Sequence, residues 1–326
     1  MAEPLVWCNV GGRSEGLGFM LETFKQYGIK ATFFVETVQR YYFAHDPMRP
    51  IATRIHDEGH EVQLHTHPCW SVFEHKDWWE RSRNKRRRDD FQGLDVEESV
   101  RLIEQGIATF REWGLPKPLV FRSGNLQHDD NLYIALARAG IPYSSNVGMA
   151  ISDSGDPSYR LYSGAHRRHG VVEFPVLTFS DWKLGGKQHI KSLTIAGSSF
   201  AETRDMLEQA RAAGIPLVVV LTHPFEFVHS QDYGFVQTVR HSLTQDRLTS
   251  LCKFLQDNSD RFEAVGLAEA AAATVLESDT PNTLLQGSLW NSLPRMAAQL
   301  AHAQYGRWLL ARTHGRKAAP VPELAD

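Results

Sequence analysis

The sequence has little of what would impose a special fold or partner. Its 326 residues include only three cysteines, Cys8, Cys69 and Cys252, and no CxxC pair. Cysteines so few, and odd in number, exclude a disulfide framework and indicate a reducing compartment. The 35 basic and 38 acidic residues nearly balance, so no overall charge directs the chain to nucleic acid or to a membrane.

Long hydrophobic runs are missing as well. No stretch reaches the roughly 18 apolar residues that a transmembrane helix needs. The first residues lack both the basic and the apolar region of a signal peptide, so we expect a cytoplasmic protein. With 42% apolar and 22% charged residues, the composition excludes disordered, fibrous and coiled-coil chains.

Short apolar runs alternate with helical periodicity over about 270 residues, which predicts βαβ units and a parallel sheet. The number of units favours a closed or nearly closed barrel. The predicted strands are residues 5–8, 31–35, 61–67, 119–121, 143–146, 171–175, 217–222 and 262–265. The predicted helices are residues 18–27, 50–58, 96–113, 131–139, 200–213, 243–258 and 267–274.

Two segments stand apart from this pattern. Residues 81–88 carry six Arg and Lys side chains, typical of either a solvated loop or an anion-binding lid. Residues 289–310 have helical periodicity, with Pro294 as a potential break. That helix can pack on the barrel, lie on a membrane surface or join two copies. We expect a barrel domain at 1–275 and a C-terminal helical extension at 276–326 with a disordered tail.

In parallel α/β folds the chemistry lies at the carboxyl ends of strands. The polar residues predicted there are Asn9, Glu36, His65, His67, Arg122, Ser145 and His223. His65 and His67 alternate onto one face of a strand, where two imidazoles suit a divalent metal or simply hydrogen-bond in a polar cleft.

Two further strand ends carry candidate groups. His223 follows the most apolar strand and suits a general acid or base, or a substrate-binding role. Arg122 suits an anion or a structural ion pair, and Gly124 permits a close backbone approach.

Six motifs, taken in order, carry a resemblance to a family. They are Ala-Thr-Phe-Phe-Val, Gly-His-Glu-Val-Gln-Leu-His, Phe-Arg-Ser-Gly-Asn, Ala-Gly-Ile-Pro-Tyr-Ser-Ser, Glu-Phe-Pro-Val and Leu-Thr-His-Pro-Phe. Over residues 5–270 the chain resembles the NodB-type polysaccharide deacetylases, closest to members from O-antigen and capsule biosynthesis clusters. The resemblance implies a distorted (β/α)7-type barrel that hydrolyses acetyl groups on sugars with a divalent metal, usually zinc.

The resemblance assigns roles with one gap. It implies that His223 is the acid, that Arg122 holds the base and that His65 binds metal with His67 or Cys69. Gly124, Asn125 and Trp70 are then expected to bind substrate. Asn9 stands where the family has its base Asp, and Val10 and Gly11 offer no metal carboxylate.

The missing carboxylates leave several interpretations open. Another carboxylate, from Glu36, Asp129 or Asp130, has taken over the role of base. Alternatively, the protein is a deacetylase-fold carbohydrate-binding or scaffold protein without hydrolysis, or the chain carries an engineered Asp→Asn change. A different His-x-His metallohydrolase, such as a phosphoesterase, is a further hypothesis. We expect a deacetylase of surface-polysaccharide biosynthesis whose substrate is a sugar linked to a nucleotide or a lipid.

Overall fold

The computed structural model describes residues 2–43, 45–84, 89–232, 234–274 and 279–315. The helices within these ranges are α1 Ala2–Trp7, α2 Leu17–Tyr27, α3 Met48–Asp57, α4 Trp78–Asn84, α5 Val96–Trp113, α6 Asp130–Arg138, α7 Phe200–Ala212, α8 Ser242–Asp257, α9 Leu267–Ala273 and α10 Leu289–His314. Short 3-10 turns connect several of them at Val38–Tyr41, Pro68–Glu74, Gly124–Leu126, Pro157–Tyr159 and Pro224–Phe227.

The strands are shorter and more numerous than the predicted ones. They are β1 Asn9–Val10, β2 Arg13–Ser14, β3 Thr32–Glu36, β4 Glu61–Thr66, β5 Val120–Ser123, β6 Tyr143–Ser144, β7 His166–Arg168, β8 Val171–Glu173, β9 Thr178–Leu184, β10 Lys187–Ser192, β11 Val228–Ser230, β12 Thr238–Arg240 and β13 Leu285–Gln286.

Helix α5 shows how local sequence sets an element, and the prediction for residues 96–113 is confirmed. The Asp95 side chain accepts a hydrogen bond from the Glu98 N–H, which satisfies a donor that the first turn leaves free. Gly114 ends the helix with φ +77°, a left-handed conformation that costs glycine little.

The central sheet runs in the order β3-β4-β5-β6-β8-β7, and all neighbours are parallel except the edge pair β7 and β8. It continues by single parallel bridges from Val176 to Val219 and from Thr194 to Leu221. Side chains of successive residues enter opposite cores, so Val35 and Phe121 face the helices, whereas Phe34 and Val120 face inward. This is the predicted α/β architecture of a distorted barrel.

One predicted strand is wrong in a way that affects the site. Residues 5–8 lie in helix α1 and the residue after it, and Cys8 takes a left-handed φ of +49°. The chain then turns through Gly11 and Gly12 between β1 and β2. A four-residue apolar run has no period that separates strand from helix, and packing against the 3-10 turn Pro224–Phe227 favours the helix.

The two segments singled out from the sequence are only partly described. Helix α4 covers the start of the basic run, and residues 85–88, which carry most of the predicted lid, lie outside the described residues. The predicted disordered tail at 316–326 lies outside them too. Pro294 does not split α10, which continues through it. Among the described residues no helix is both long and apolar enough to cross a bilayer.

Candidate metal centre

Three neighbouring strands end together and place their last polar side chains side by side. Glu36 of β3 is in register with His65 of β4, and His65 is in register with Arg122 of β5. Each follows an apolar residue that faces the helices, so all three side chains face inward. The site therefore lies at the carboxyl edge of the sheet, as expected for a parallel α/β fold.

Glu36, His65 and His67 form the metal-ligand cluster found among the described residues. One ligand atom from each lies within 4.8 Å of the others. The two imidazole rings have centroids 4.8 Å apart and stand perpendicular. The structure thus brings the predicted pair His65 and His67 together and adds Glu36, which the sequence indicated only as a substitute base.

Each imidazole is fixed through Nδ1. His65 Nδ1 lies 2.7 Å from the carbonyl oxygen of Arg122, and His67 Nδ1 lies 2.7 Å from Oδ2 of Asp89. Because both partners are oxygen acceptors, Nδ1 carries the proton in each ring, and Nε2 keeps its lone pair. This is the tautomer and outer contact that metal-binding histidines use.

Glu36 places a buried carboxyl group beside the two histidines. Its Oε1 accepts hydrogen bonds from the Thr37 and Val38 N–H groups, each at 2.9 Å. Its Oε2 accepts one from the His67 N–H at 2.7 Å. Burial raises the pKa of Glu36 to about 7, although His67 and these N–H groups act to lower it. A buried carboxylate with room for a further acceptor bond is well suited to a cation.

Burial has opposite consequences for the two histidines. It lowers the pKa of His65 to about 3, with His67 and His223 contributing, so His65 stays neutral. For His67, burial acts to lower the pKa, but the hydrogen bond to Asp89 and the charge of Glu36 outweigh it and raise the pKa above its usual range. A neutral imidazole at His65 is ready to act as a ligand.

Asp89 joins the candidate substrate residues to the metal cluster. Its Oδ2 accepts from His67 and, at 3.1 Å, from Nδ2 of Asn125. Burial acts to raise the pKa of Asp89, but hydrogen bonds from His67, Cys69 and Asn125 lower it overall. Cys69 and Asn125, predicted as metal ligand and substrate contact, both reach this carboxylate. Nothing in the sequence near residue 89 pointed to this role.

Gly124 makes room for His67. A Cβ at this position would lie 2.5 Å from Nδ1 and 2.8 Å from Cγ of the His67 ring. The next residue, Asn125, adopts a φ of +54°, which turns the chain so that its amide reaches Asp89. The close approach expected at Gly124 is therefore made by a histidine of the cluster.

The Arg122 guanidinium is held by Ser145 and not by a carboxylate. Its Nε donates to the Ser145 carbonyl oxygen at 2.9 Å, and its Nη2 donates to the Ser145 hydroxyl at 2.8 Å. The guanidinium lies over the Phe34 ring, 4.2 Å from its centroid. Burial lowers the pKa of Arg122 to about 10, with Glu173 opposing that change. The group remains charged at neutral pH.

Asn9 and His223, two of the predicted site residues, are both accessible to solvent. Asn9 is exposed, and its backbone carbonyl oxygen accepts a hydrogen bond from the Thr238 hydroxyl at 3.1 Å. His223 is half exposed, with Nδ1 3.1 Å from Oε1 of Glu226 and its ring stacked on Phe225.

Trp70 belongs to an aromatic group beside the cluster. The 3-10 turn Pro68–Glu74 directly follows His67, and Trp70 contacts Tyr42, Phe43 and Phe73 with ring centroids 5.7–6.5 Å apart. Tyr42 is 52% exposed. Exposed aromatic faces of this kind suit the apolar faces of sugar rings.

The donor set fits a catalytic divalent metal. Two imidazole nitrogens and one carboxylate oxygen, with further positions open, are the protein ligands of one class of zinc hydrolase sites. The same set holds other divalent ions. Zinc is therefore compatible with these residues but not singled out by them.

Comparison with known proteins finds one family model that matches part of the chain. Residues 12–144, somewhat less than half of the chain, match the family model described as polysaccharide deacetylase. A comparison with curated protein sequences finds no match. The matched segment contains β3, β4 and β5, and with them every residue of the metal cluster.

Several solved structures are similar to this chain at low sequence identity. A Mycobacterium smegmatis chain assigned as a polysaccharide deacetylase is 18% identical, with a TM-score of 0.47 over 83% of this chain and 80% of that one. A family 4 carbohydrate esterase from Streptomyces lividans, in complex with acetate, is 11% identical, with a TM-score of 0.39 over 74% and 81%. A Clostridium thermocellum family 4 acetyl xylan esterase with cobalt is 18% identical, at 0.38 over 78% and 83%.

Proposed function

We propose that this protein is a metal-dependent carbohydrate deacetylase that hydrolyses an acetyl group on a sugar. The observation that carries the proposal is the pair of Nδ1-anchored imidazoles, His65 and His67, beside the buried carboxylate of Glu36. The match of residues 12–144 to the polysaccharide deacetylase model supports it. In this proposal, Glu36 takes the place of the carboxylate that the first motif lacks at Asn9.

Glu36, His65 and His67 would hold the ion. A divalent metal bound there would polarise the acetyl carbonyl and lower the pKa of a bound water. Asp89 accepts the Nδ1 proton of His67, which keeps Nε2 a good donor to the metal. Arg122 orients His65 in the same way, through its backbone carbonyl.

His223 is the candidate proton donor. The Nδ1 atom of His223 lies beside Glu226, so Nε2 is the nitrogen left to contact a substrate. The side chain is half exposed, which allows that contact. The leaving amine or alcohol of the sugar would receive its proton from this nitrogen.

We further propose a cytoplasmic role in surface-polysaccharide or O-antigen biosynthesis, with a nucleotide- or lipid-linked sugar as substrate. Cys8 and Cys252 are buried thiols, which fits a reducing compartment. The resemblance described above is the other support. We keep 1–275 as the barrel domain and 276–326 as an extension.

The second candidate is a non-catalytic carbohydrate-binding protein of the same fold. It is favoured by the surroundings of Arg122, whose guanidinium contacts Ser145 and Phe34 rather than a catalytic Asp. In this alternative, the Trp70 group binds a sugar near a cluster that holds a metal without hydrolysis.

Acetate release separates the two candidates. Purified protein, stripped of metal and reloaded with zinc or cobalt, is assayed on acetylated glucosamine and acetylated xylose esters. The proposal predicts release that requires metal and falls at least 100-fold in Glu36→Gln and His67→Ala. Glu173→Gln is a matched control, since Glu173 is also buried and accepts two backbone N–H groups. It should lower stability but not metal content.

The same assay includes a test of the proton donor. His223→Gln should lower kcat with little change in metal content, whereas the exposed His56→Gln should change neither. Stoichiometric metal without acetate release from any acetylated sugar would contradict the deacetylase proposal and favour the binding protein.

A further inference from the structure

Helix α10 has one face fastened to the barrel. The Arg295 guanidinium bonds to Asp181 at 2.9 Å and to Glu202 at 3.0 Å, and both carboxylates are almost completely buried. Further along, Gly306 packs against the ring of His229, where a Cβ would lie 2.6 Å away. Leu310 is buried one turn beyond. The helix is therefore held in a fixed orientation.

Another face of the helix is apolar and exposed. Leu289, Leu293, Met296 and Leu300 follow one another at spacings of three and four residues, which puts them in one stripe. Their exposed fractions are 43–67%. Trp290, 86% exposed, and Trp308, 51% exposed, lie beside that stripe. More than half of the exposed large apolar side chains in the described part of the chain belong to this helix.

The charges of α10 have one sign. Leu289–His314 contains three arginines and no Asp, Glu or Lys. Arg307 and Arg312 are exposed, and among the described residues neither forms an ion pair with an acidic group. Arg312 lies 5.3 Å from the centroid of the Trp308 ring. The chain as a whole carries a formal charge of −3, so this positive surface is a local feature.

We propose that α10 docks the protein on an anionic lipid bilayer, with its axis in the plane of the surface. At 26 residues the helix is about 39 Å long, enough for an extended contact. The leucine stripe enters the boundary of the acyl chains, the tryptophans lie at headgroup depth and the arginines meet lipid phosphates.

A second copy of the chain fits this face less well. Symmetric pairing would set the apolar stripe against itself but would also bring arginines together, with no acidic residue on the helix to pair with them. Anionic headgroups supply that missing charge. Charge complementarity therefore selects the bilayer as the occupant.

Vesicle sedimentation of the full chain tests the proposal without reference to its activity. We expect binding to vesicles of phosphatidylcholine with 30% phosphatidylglycerol and weak binding to phosphatidylcholine alone. Arg307→Gln with Arg312→Gln should weaken the anionic binding about five-fold per arginine and flatten its salt dependence. Leu293→Glu with Leu300→Glu should reduce binding to both vesicles at least ten-fold.

Val236→Glu is the matched control, because Val236 is 79% exposed and lies outside α10. It should bind vesicles as the wild type does. Thermal unfolding of all variants should match the wild type, since the changed side chains are exposed. Wild-type binding by the leucine double variant would overturn the proposal. The proposal would also be overturned if the wild type did not bind vesicles but formed a concentration-dependent dimer that the leucine double variant did not form.

Discussion

Replacing Gly124 with alanine should disable the metal centre while leaving the barrel folded. The backbone at Gly124 lies outside the left-handed region, so alanine is conformationally allowed there. The new Cβ, however, would lie 2.5 Å from Nδ1 of His67. To restore an ordinary separation of about 3.5 Å, the ring must move by about 1 Å.

That movement is large on the scale of metal coordination. Ligand distances tolerate only about 0.2 Å, so a displaced His67 ceases to be a proper ligand. It also loses its hydrogen bond to Asp89, which is 2.7 Å long. Loss of an outer contact alone costs about 10–100-fold in metal affinity, and we expect at least that for zinc in Gly124→Ala.

Zinc titration by calorimetry on the stripped protein measures this effect. Gly28→Ala is the control for stability, because Gly28 has φ +65° and nothing within 4 Å of its added Cβ. That variant should lose about 1 kcal/mol of stability and keep its zinc affinity. Unchanged zinc affinity in Gly124→Ala would refute the argument that His67 is a ligand in the position described.

Three more outcomes follow from the structure. Asp89→Asn removes the charged acceptor of His67 and should weaken zinc binding about 10-fold in the same titration. Burial lowers the pKa of His241 from 6.5 to about 4, so the unfolded chain takes up a proton before the folded one does. Stability should therefore fall as pH drops from about 6.5 towards 4. His241→Asn, which can still cap α8, should reduce that fall by about 1 kcal/mol, as urea unfolding at pH 7 and pH 4.5 would show. Arg295→Ala removes the guanidinium that Asp181 and Glu202 share, although both carboxylates are buried, and should cost about 3–5 kcal/mol in the same unfolding assay.

The sequence predicted the parts of the fold that depend on local pattern. Residues 96–113 carry a strong helical period, a capping Asp and a terminal Gly, and the structure gives that helix at the same bounds. Residues 217–222 are apolar on both faces, and their strand is reduced to single bridges at Val219 and Leu221. Where strand pairing depends on distant partners, periodicity alone could not set its extent.

The candidate site was predictable only in part, for the same reason. His65 and His67 are two residues apart, so alternation along a strand was enough to join them. Glu36 ends an apolar strand, which was the signal for it, but its place beside His65 depends on the register of two strands. Asp89 reaches His67 from a segment without regular structure, and no local pattern encodes that contact.

The most direct test of the central claim is a zinc titration of the metal-free protein and of three single variants, Glu36→Gln, His65→Ala and His67→Ala. The wild type should bind one zinc ion per chain, and each variant should bind it at least 10–100-fold more weakly. Cys69→Ala should retain wild-type affinity, because the Cys69 thiol bonds to Asp89. Wild-type affinity in all three cluster variants, or its loss in Cys69→Ala alone, would contradict the account.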